Sequence, residues 1–196
     1  CIDSKPIYYV KYYYYMMNKP QGVITSTEKG KTKTVMDVFK ETGIDCPRFD
    51  ELSPVGRLDK DSSGLLLLTN QGALTNTLLR AANYHEKEYI VKVNKDIDDE
   101  FIEKMSNGIY LYELKTKTRK CKVKKLNKNT FSIVLTQGLN RQIRRMCAAC
   151  DRKVQKLNRV RIVNIKLEGL AVGDYRNLSE EEIRRLYKEL GIRDNG

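Results

Sequence analysis

The pattern of hydrophobic and polar positions predicts a chain of mixed strands and helices. Apolar or alternating runs predict strands within 16–27 (strand, turn, strand) and at 65–69, 87–93, 121–126, 131–136 and 159–167. Helical spacing with capping residues predicts helices at 34–43, 70–82, 98–108, 139–150 and 179–191. The order lacks a regular strand-helix-strand repeat, which predicts an α+β fold with a mixed, mostly antiparallel sheet and flanking helices.

Several element boundaries follow from particular residues. Thr34 with Asp37, and Ser179 with Glu182, have the spacing of capping boxes at helix starts. Asn70 is placed to cap the helix that we expect to continue through residue 82. In the segment 159–167 the apolar phase slips between its two isoleucines, which predicts a strand with a bulge.

Composition and charge narrow the class of partner. The 196 residues include 37 basic and 25 acidic side chains, for a net charge of +12, with 40% hydrophobic residues. This composition is typical of a single soluble domain, and the longest aliphatic run, Leu65–Leu68, is far too short to span a membrane. The positive charge favours nucleic acid as a partner, although it could serve solubility alone.

Cysteine and histidine usage restricts the chemistry further. The five scattered cysteines do not suggest a disulfide framework, and no export signal is visible, so we expect a cytoplasmic location. The start at Cys1 suggests further sequence upstream. Cys147 and Cys150 form a lone CxxC whose spacing favours packing on a helix face. His85, the single histidine, argues against His-rich metal sites and more often fills a polar pocket than acts as a base.

The first fifteen residues contain six tyrosines. We interpret this run as an extended strand or linker whose rings pack on a neighbouring surface, because aromatic residues favour strands. A platform for stacking bases is the alternative.

A polar loop that leads into the four-leucine strand could carry chemistry. Arg57 and Asp59 lie in this loop, and the strand after it would fix their positions. The ordinary alternative is that Asp59, Asp61 and Ser62 are turn formers that bond their own backbone. A metal held by the two aspartates is a weaker possibility.

A second basic segment covers residues 136–146. Arg141, Arg144 and Arg145 have the spacing of one helix face, which predicts an anion site near the helix start, with a solvated basic face as the alternative. Acidic residues are nearly absent from 137–167, which favours an RNA track. Further bases follow at Arg152, Lys153, Lys156, Arg159 and Arg161.

Four segments in this order resemble the motifs of the pseudouridine synthases, in the branch typified by RsuA and RluF. They are NKPQGV (18–23), GRLDKDSSGLLLLTN (56–70), KEYIVKV (87–93) and QGLNRQIRRM (137–146), and the similarity continues through 158–170. The resemblance implies the pseudouridine synthase fold with a central catalytic cleft. It also implies isomerisation of a uridine in ribosomal RNA of the large subunit, without a cofactor or metal.

The resemblance assigns roles to individual residues. Asp59 matches the catalytic aspartate, Arg144 the basic residue that pairs with it, and Tyr89 the tyrosine that stacks on the uracil and takes the C5 proton. Arg57 matches a residue that contacts the RNA and holds the target nucleotide out of its helix. The remaining expected RNA contacts are Lys19, Arg141, Gln142 and Arg145.

The resemblance also suggests a domain plan. Members of this branch carry a small S4-type RNA-binding domain ahead of the catalytic domain, so we interpret 1–14 as a linker or a remnant of that absent domain. We expect 15–196 to be the catalytic domain and to act as a monomer on RNA or on a ribosome assembly intermediate, without a membrane. The alternatives are a non-catalytic RNA-binding or ribosome-assembly factor and a metal-dependent nuclease that uses Asp59 and Asp61.

Overall fold

The structure is a computed structural model that describes residues 11–28 and 30–192. Five α-helices are present in these ranges: α1 (Val35–Glu41), α2 (Gly72–Leu79), α3 (Asp99–Asn107), α4 (Gln142–Ala149) and α5 (Glu180–Leu190). The strands are β1 (Tyr14–Lys19), β2 (Ser53–Pro54), β3 (Ser63–Thr69), β4 (Lys87–Val93), β5 (Tyr110–Leu111), β6 (Thr116–Lys117), β7 (Lys122–Asn127), β8 (Thr130–Leu135), β9 (Val154–Ile162), β10 (Ile165–Lys166) and β11 (Tyr175–Asn177).

One mixed sheet organises the described part of the chain. Its strands follow the order β11-β1-β3-β9-β4-β8-β7, while β10 pairs with β9, β2 pairs with β3, and β5 and β6 form a separate small hairpin. Within the described ranges, β3 and β9 form the one parallel pair, and every other pairing of named strands is antiparallel. The predicted α+β fold with a mixed, mostly antiparallel sheet is confirmed.

The parallel junction of β3 and β9 requires a glycine. Gly64 has a φ of +108°, and a Cβ atom at this position would lie 2.3 Å from the carbonyl oxygen of Arg159 and 2.3 Å from Oδ1 of Asn158. Any other residue would therefore force the two strands apart. The close contact places the loop before β3 directly beside the middle of β9.

Two groups of helices cover the sheet. Leu65 and Leu67 of β3 pack on α2 and α5, whereas Leu66 and Leu68 pack on the side of α1, so β3 is buried on both faces. The other half of the sheet, formed by β4, β8 and β9, packs against α3 and α4. The junction between these halves lies where β3 meets β9.

The predicted helix caps at both ends of the chain are confirmed. Thr34 and Asp37 form a capping box at the start of α1, and Ser179 and Glu182 form one at the start of α5. Gly191 adopts a left-handed conformation at the end of α5, as expected for a helix stop. These boundaries could be predicted because caps depend on residues only three positions apart.

Three local expectations are wrong. Asn70 does not cap α2: its side chain accepts a bond from the backbone of Tyr13, and α2 ends at Leu79, before residue 82. The second strand expected within 16–27 is reduced to a single bridge at Ile24. The bulge predicted for 159–167 is misplaced: a tight turn at Val163 joins β9 to β10, and the irregularity within this segment lies at Val160, opposite Glu88 and Tyr89. A second register shift in β9 lies opposite Lys92 and Val93.

The tyrosine-rich start lies partly outside the described residues, because 1–10 are not described. Tyr14 opens β1, and Tyr15 is buried edge-to-face against Phe39, which supports packing for this tyrosine. The division into a linker at 1–14 and a domain at 15–196 stays a prediction. None of the helices in 11–28 and 30–192 is both long and apolar enough to cross a bilayer.

Candidate active site

A cleft of about 580 Å³ opens at the junction of β3 and β9. Its wall on one side is the loop before β3, which we call the Asp59 loop (residues 55–62), and its wall on the other side is the segment 135–144 that leads into α4. Tyr89 of β4 lines it between these walls. Six of the eight predicted site residues line this cleft: Arg57, Asp59, Tyr89, Arg141, Gln142 and Arg144.

The Asp59 loop ends in a tight turn at the entrance to β3. The backbone N–H of Ser62 donates to the carbonyl oxygen of Asp59 at 3.0 Å, so this stretch does form a turn, as the ordinary alternative proposed. The Asp59 side chain is 39% exposed rather than buried, and its carboxylate opens on the cleft. Arg57 is exposed at the mouth and makes no ion pair with any described residue. The turn and the catalytic interpretation are therefore compatible.

Lys19 supports the loop from below and does not reach the surface. It is fully buried, and its Nζ donates to the carbonyl oxygens of Pro20, Asp59 and Ser62 at 3.0, 3.2 and 2.9 Å. This differs from the expected RNA contact, because a fully buried ammonium has no free surface to offer a phosphate. Lys19 instead fixes the backbone that carries Asp59.

Burial also changes the acid-base behaviour of Lys19. Loss of hydration lowers its pKa from 10.5 to about 8, and although Asp59 and Asp61 oppose this change, Arg159 adds to it. Near neutral pH Lys19 is therefore a buried ammonium that has lost its hydration. Its hydrogen bonds to three carbonyl oxygens partly offset the free-energy cost of that loss.

We expect the stability of the wild-type protein, measured relative to Lys19→Met, to increase as the pH rises from about 8 to 10.5. The folded chain releases the Lys19 proton near pH 8 while the unfolded chain keeps it until about 10.5, so the unfolded state binds more protons in this window. Urea unfolding of both proteins at about pH 7.5 and about pH 9.5 measures the effect. A difference in unfolding free energy that stays constant with pH would contradict it.

Arg141 connects the two walls of the cleft. Its guanidinium binds Asp61 through two bonds of 3.2 and 2.8 Å, and its Nη1 lies 3.6 Å from Oδ2 of Asp59. Hydrogen bonds from Arg141 lower the pKa of Asp61, and the charge of Arg144 adds to the effect. The guanidinium of Arg141 therefore already faces two carboxylates, and it would have to leave them in order to bind an RNA phosphate.

Arg144 lies in the cleft but contacts a different carboxylate from the one expected. Its Nη2 donates to the carbonyl oxygen of Asp61 at 2.8 Å and to Oγ of Ser62 at 3.3 Å, and lies 3.3 Å from Oδ2 of Asp61. The ion pair with Asp59 that the resemblance implied is absent from the described structure, where Arg141 takes that position. Nε of Arg144 is buried and makes no hydrogen bond to any described residue.

The other predicted RNA contacts do not share one face. Arg145 does not line the cleft and binds Asn140 and Glu113, so the three arginines at the start of α4 form no single anion site. Gln142 is buried, and its side-chain oxygen accepts a hydrogen bond from the N–H of Leu139, which makes it a cap for the turn rather than a free RNA contact.

The RNA track expected along 137–167 is also interrupted. Arg152 binds Asp98, Arg161 binds Glu86 and Glu88, and Arg159 is buried, which leaves Lys153 and Lys156 exposed.

Comparison with known proteins identifies the family to which this chain belongs. A sequence model of the family described as RNA pseudouridylate synthase matches residues 13–149. The chain belongs to the pseudouridine synthase family.

Relatives within the pseudouridine synthases are similar over most of this chain. The dual-specificity RNA pseudouridine synthase RluF of Escherichia coli (strain K12) is 47% identical over 172 residues, which cover 88% of this chain and 56% of that protein. The ribosomal large subunit pseudouridine synthase B of Bacillus subtilis (strain 168) is 38% identical over 88% of this chain and 70% of its own length. The chain thus spans only a little over half the length of RluF.

A solved structure described as a pseudouridylate synthase supports the fold. It superimposes with a TM-score of 0.82 at 31% identity, covering 90% of this chain and 74% of its own chain. The predicted pseudouridine synthase fold is confirmed, and the cleft described above lies at the centre of its sheet.

Two cationic residues of this pseudouridine synthase cleft were not singled out as site residues from the sequence. Lys87 and Arg159 line the cleft together with Tyr89. Because side chains alternate along a strand, Lys87 and Tyr89 share one face of β4, and Arg159 lies directly opposite Tyr89 on β9. The alternation of β4 was visible in the sequence, but the pairing with β9 was not.

The two cysteines of the CxxC pair and the single histidine take no part in the proposed site chemistry. Cys147 is buried in the core and Cys150 packs beside it, as the spacing predicted, and burial raises the pKa of the Cys147 thiol to about 12. His85 lines the cleft, and burial lowers its pKa. In the described part of the chain, no three His, Cys, Asp or Glu residues are grouped to hold a metal ion.

Proposed function

We propose that this chain isomerises a uridine in RNA to pseudouridine, with Asp59 as the catalytic carboxylate. The observation that carries the proposal is that one cleft in a pseudouridine synthase fold holds Asp59, Tyr89 and Arg144, which come from three separate segments of the chain. The reaction exchanges an N1–C1′ bond for a C5–C1′ bond within one nucleotide. It transfers no electrons, and we propose no cofactor.

The substrate is proposed to be ribosomal RNA, and specifically RNA of the large subunit. RluF and the large-subunit enzyme of Bacillus subtilis are the similar proteins that support this choice. The net charge of +12 suits a polyanionic substrate. We propose that the protein acts as a monomer in the cytoplasm, on free ribosomal RNA or on an assembly intermediate, and that Arg57 at the mouth contacts the RNA.

The positions of the side chains in one cleft support a proposed division of labour. In this proposal Tyr89 stacks on the uracil and takes the C5 proton, Arg144 positions the Asp59 loop, and the target base leaves its stack to enter the cleft. Asp59 and Asp61 both face Arg141, whose charge competes with a divalent cation, so this arrangement disfavours the metal-dependent nuclease.

A mapping experiment tests the proposal. Purified protein is incubated with large-subunit ribosomal RNA transcribed in vitro, and the RNA is treated with a carbodiimide that marks pseudouridine and stops reverse transcription. We expect one or a few new stops and full-length RNA. Binding without any new stop would favour the non-catalytic RNA-binding factor, and chelator-sensitive cleavage would favour the nuclease.

We expect Tyr89→Phe to lower the single-turnover rate about 100-fold while the affinity for RNA is unchanged. The substitution keeps the ring that stacks on the base and removes the hydroxyl that would take the proton. Rates measured at saturating enzyme separate this effect from binding. A rate equal to that of the wild type would assign proton transfer to another group.

A further inference from the structure

A buried arginine without a counter-ion lies at the floor of the cleft. Arg159 is 3% exposed, and its Nε donates to the carbonyl oxygen of Leu65 at 2.8 Å. Its Nη2 is buried and has no hydrogen-bond partner among the described residues, and no described carboxylate pairs with it. Buried charges in folded proteins are ordinarily paired, and buried donors are ordinarily satisfied. An arginine that breaks both rules needs a partner from outside the chain.

A second cation lies close to Arg159. Lys87 also lines the cleft, and the described residues give its ammonium no hydrogen bond or ion pair. Burial lowers the pKa of Lys87 to about 8, and the charge of Arg159 adds to this effect. Two neighbouring cations that repel each other are arranged to receive an electron-rich group.

The position of Arg159 indicates which part of a nucleotide it meets. It is directly opposite Tyr89 in the pairing of β9 with β4 and opposite Gly64 in the pairing with β3, so the side chains of Arg159 and Tyr89 lie on one face of the sheet, and both line the cleft. A nucleotide that flips into a cleft enters base first, and its phosphates stay at the mouth, where Arg57 is exposed. The floor therefore faces the base.

We propose that Arg159, assisted by Lys87, donates hydrogen bonds to a carbonyl oxygen of the target uracil and stabilises the negative charge of the ring while it is detached from the ribose. This inference rests on the proposed function. The N1–C1′ bond breaks with its electron pair left on the ring, and the charge spreads over N1, N3 and the carbonyl oxygens. The electrons then form the C5–C1′ bond, the C5 proton leaves to a base, and N1 takes up a proton from solvent. Fixed donors are most effective where charge develops during a reaction.

The test compares two bases in the same RNA. A fragment of large-subunit RNA that contains the uridine found by mapping is prepared with uridine or with 5-fluorouridine at that position. Fluorine stabilises the uracil anion, so it compensates for a lost cation in the protein. Single-turnover loss of the original nucleoside is measured at saturating enzyme, together with the dissociation constant of each RNA.

We expect Arg159→Lys to slow the loss of uridine about 100-fold and the loss of 5-fluorouridine less than about 10-fold, with RNA affinity unchanged. Arg161→Lys is the matched control, because it lies on the same strand and its guanidinium binds Glu86 and Glu88 outside the cleft. We expect this control to leave both rates at the wild-type level. If Arg159→Lys does not fold, Lys87→Met carries the same comparison, with an expected loss of about 10-fold for uridine and a smaller loss for 5-fluorouridine.

Three results would overturn the inference. Equal losses for both bases would mean that Arg159 only supports β3. Weaker RNA binding with an unchanged rate would make Arg159 a phosphate contact. A wild-type protein that converts no uridine at all would remove the proposed function itself, and the wild-type control distinguishes that failure from the other two.

Discussion

Asp59→Asn is expected to abolish conversion of uridine, with a single-turnover rate at least about 10⁴-fold below that of the wild type. The substitution keeps the size and the turn geometry of the side chain and removes its negative charge. A carboxylate acts through that charge whether it attacks the sugar, adds to the ring or takes a proton. RNA binding measured on the same preparations is expected to remain within about threefold, because a carboxylate contributes no attraction to phosphate.

Asp61→Asn is the matched control for this experiment. Asp61 lies two residues further along the same loop, is 48% exposed in its side chain, and binds both Arg141 and Arg144. Its loss is expected to loosen the loop and to reduce the rate about tenfold. If Asp61→Asn were the more damaging of the two substitutions, the roles of the aspartates would be exchanged. Asp59→Ala guards against slow deamidation of the asparagine to aspartate.

The parts of the fold that depend on neighbouring residues could be predicted from the sequence. The capping box of Thr34 with Asp37 joins residues three positions apart, and β4 follows from alternation within a single segment. The core face of α4 was also visible, because Cys147 is buried and Cys150 packs beside it, as their spacing predicted. Such features need no knowledge of what lies across the molecule.

The features that the sequence could not reveal depend on pairings between distant segments. Lys19 belongs to a motif in a basic protein, and nothing local distinguishes a buried lysine from one that contacts RNA. Its burial follows from β1 lying beside β3, which places Nζ beneath the carbonyls of Asp59 and Ser62. The same holds for Arg159, which is buried where β9 lies directly beside β3 at Gly64.

The net positive charge does not show which cationic side chains are free to bind RNA. Much of the predicted RNA track is neutralised within the protein, as the pairs of Arg152 with Asp98 and Arg161 with Glu86 illustrate. The cationic groups that remain without a carboxylate partner in the described structure include Lys87 and Arg159 inside the cleft. We therefore propose that part of the excess charge recognises the target nucleotide, in addition to attracting RNA in general.

Arg144→Met is expected to lower the single-turnover rate about 10²- to 10³-fold while RNA affinity changes less than about threefold. Arg144 holds the segment directly after Asp59 through the carbonyl oxygen of Asp61 and the hydroxyl of Ser62. Its side chain is 15% exposed, so it offers little surface to a phosphate. The buried Nε without a partner is available to Asp59 or to the substrate once the cleft is occupied.

Arg145→Met separates this role from general RNA attraction. Arg145 is the next residue on α4, but it does not line the cleft and binds Asn140 and Glu113, so we expect its loss to leave the rate within about threefold of the wild type. A fall in RNA affinity for Arg145→Met would support the RNA contact that the sequence predicted for Arg145. Equal losses of rate and affinity for Arg144→Met would make Arg144 a phosphate contact, and Arg141, which lies 3.6 Å from Asp59, would then be the partner of the catalytic carboxylate.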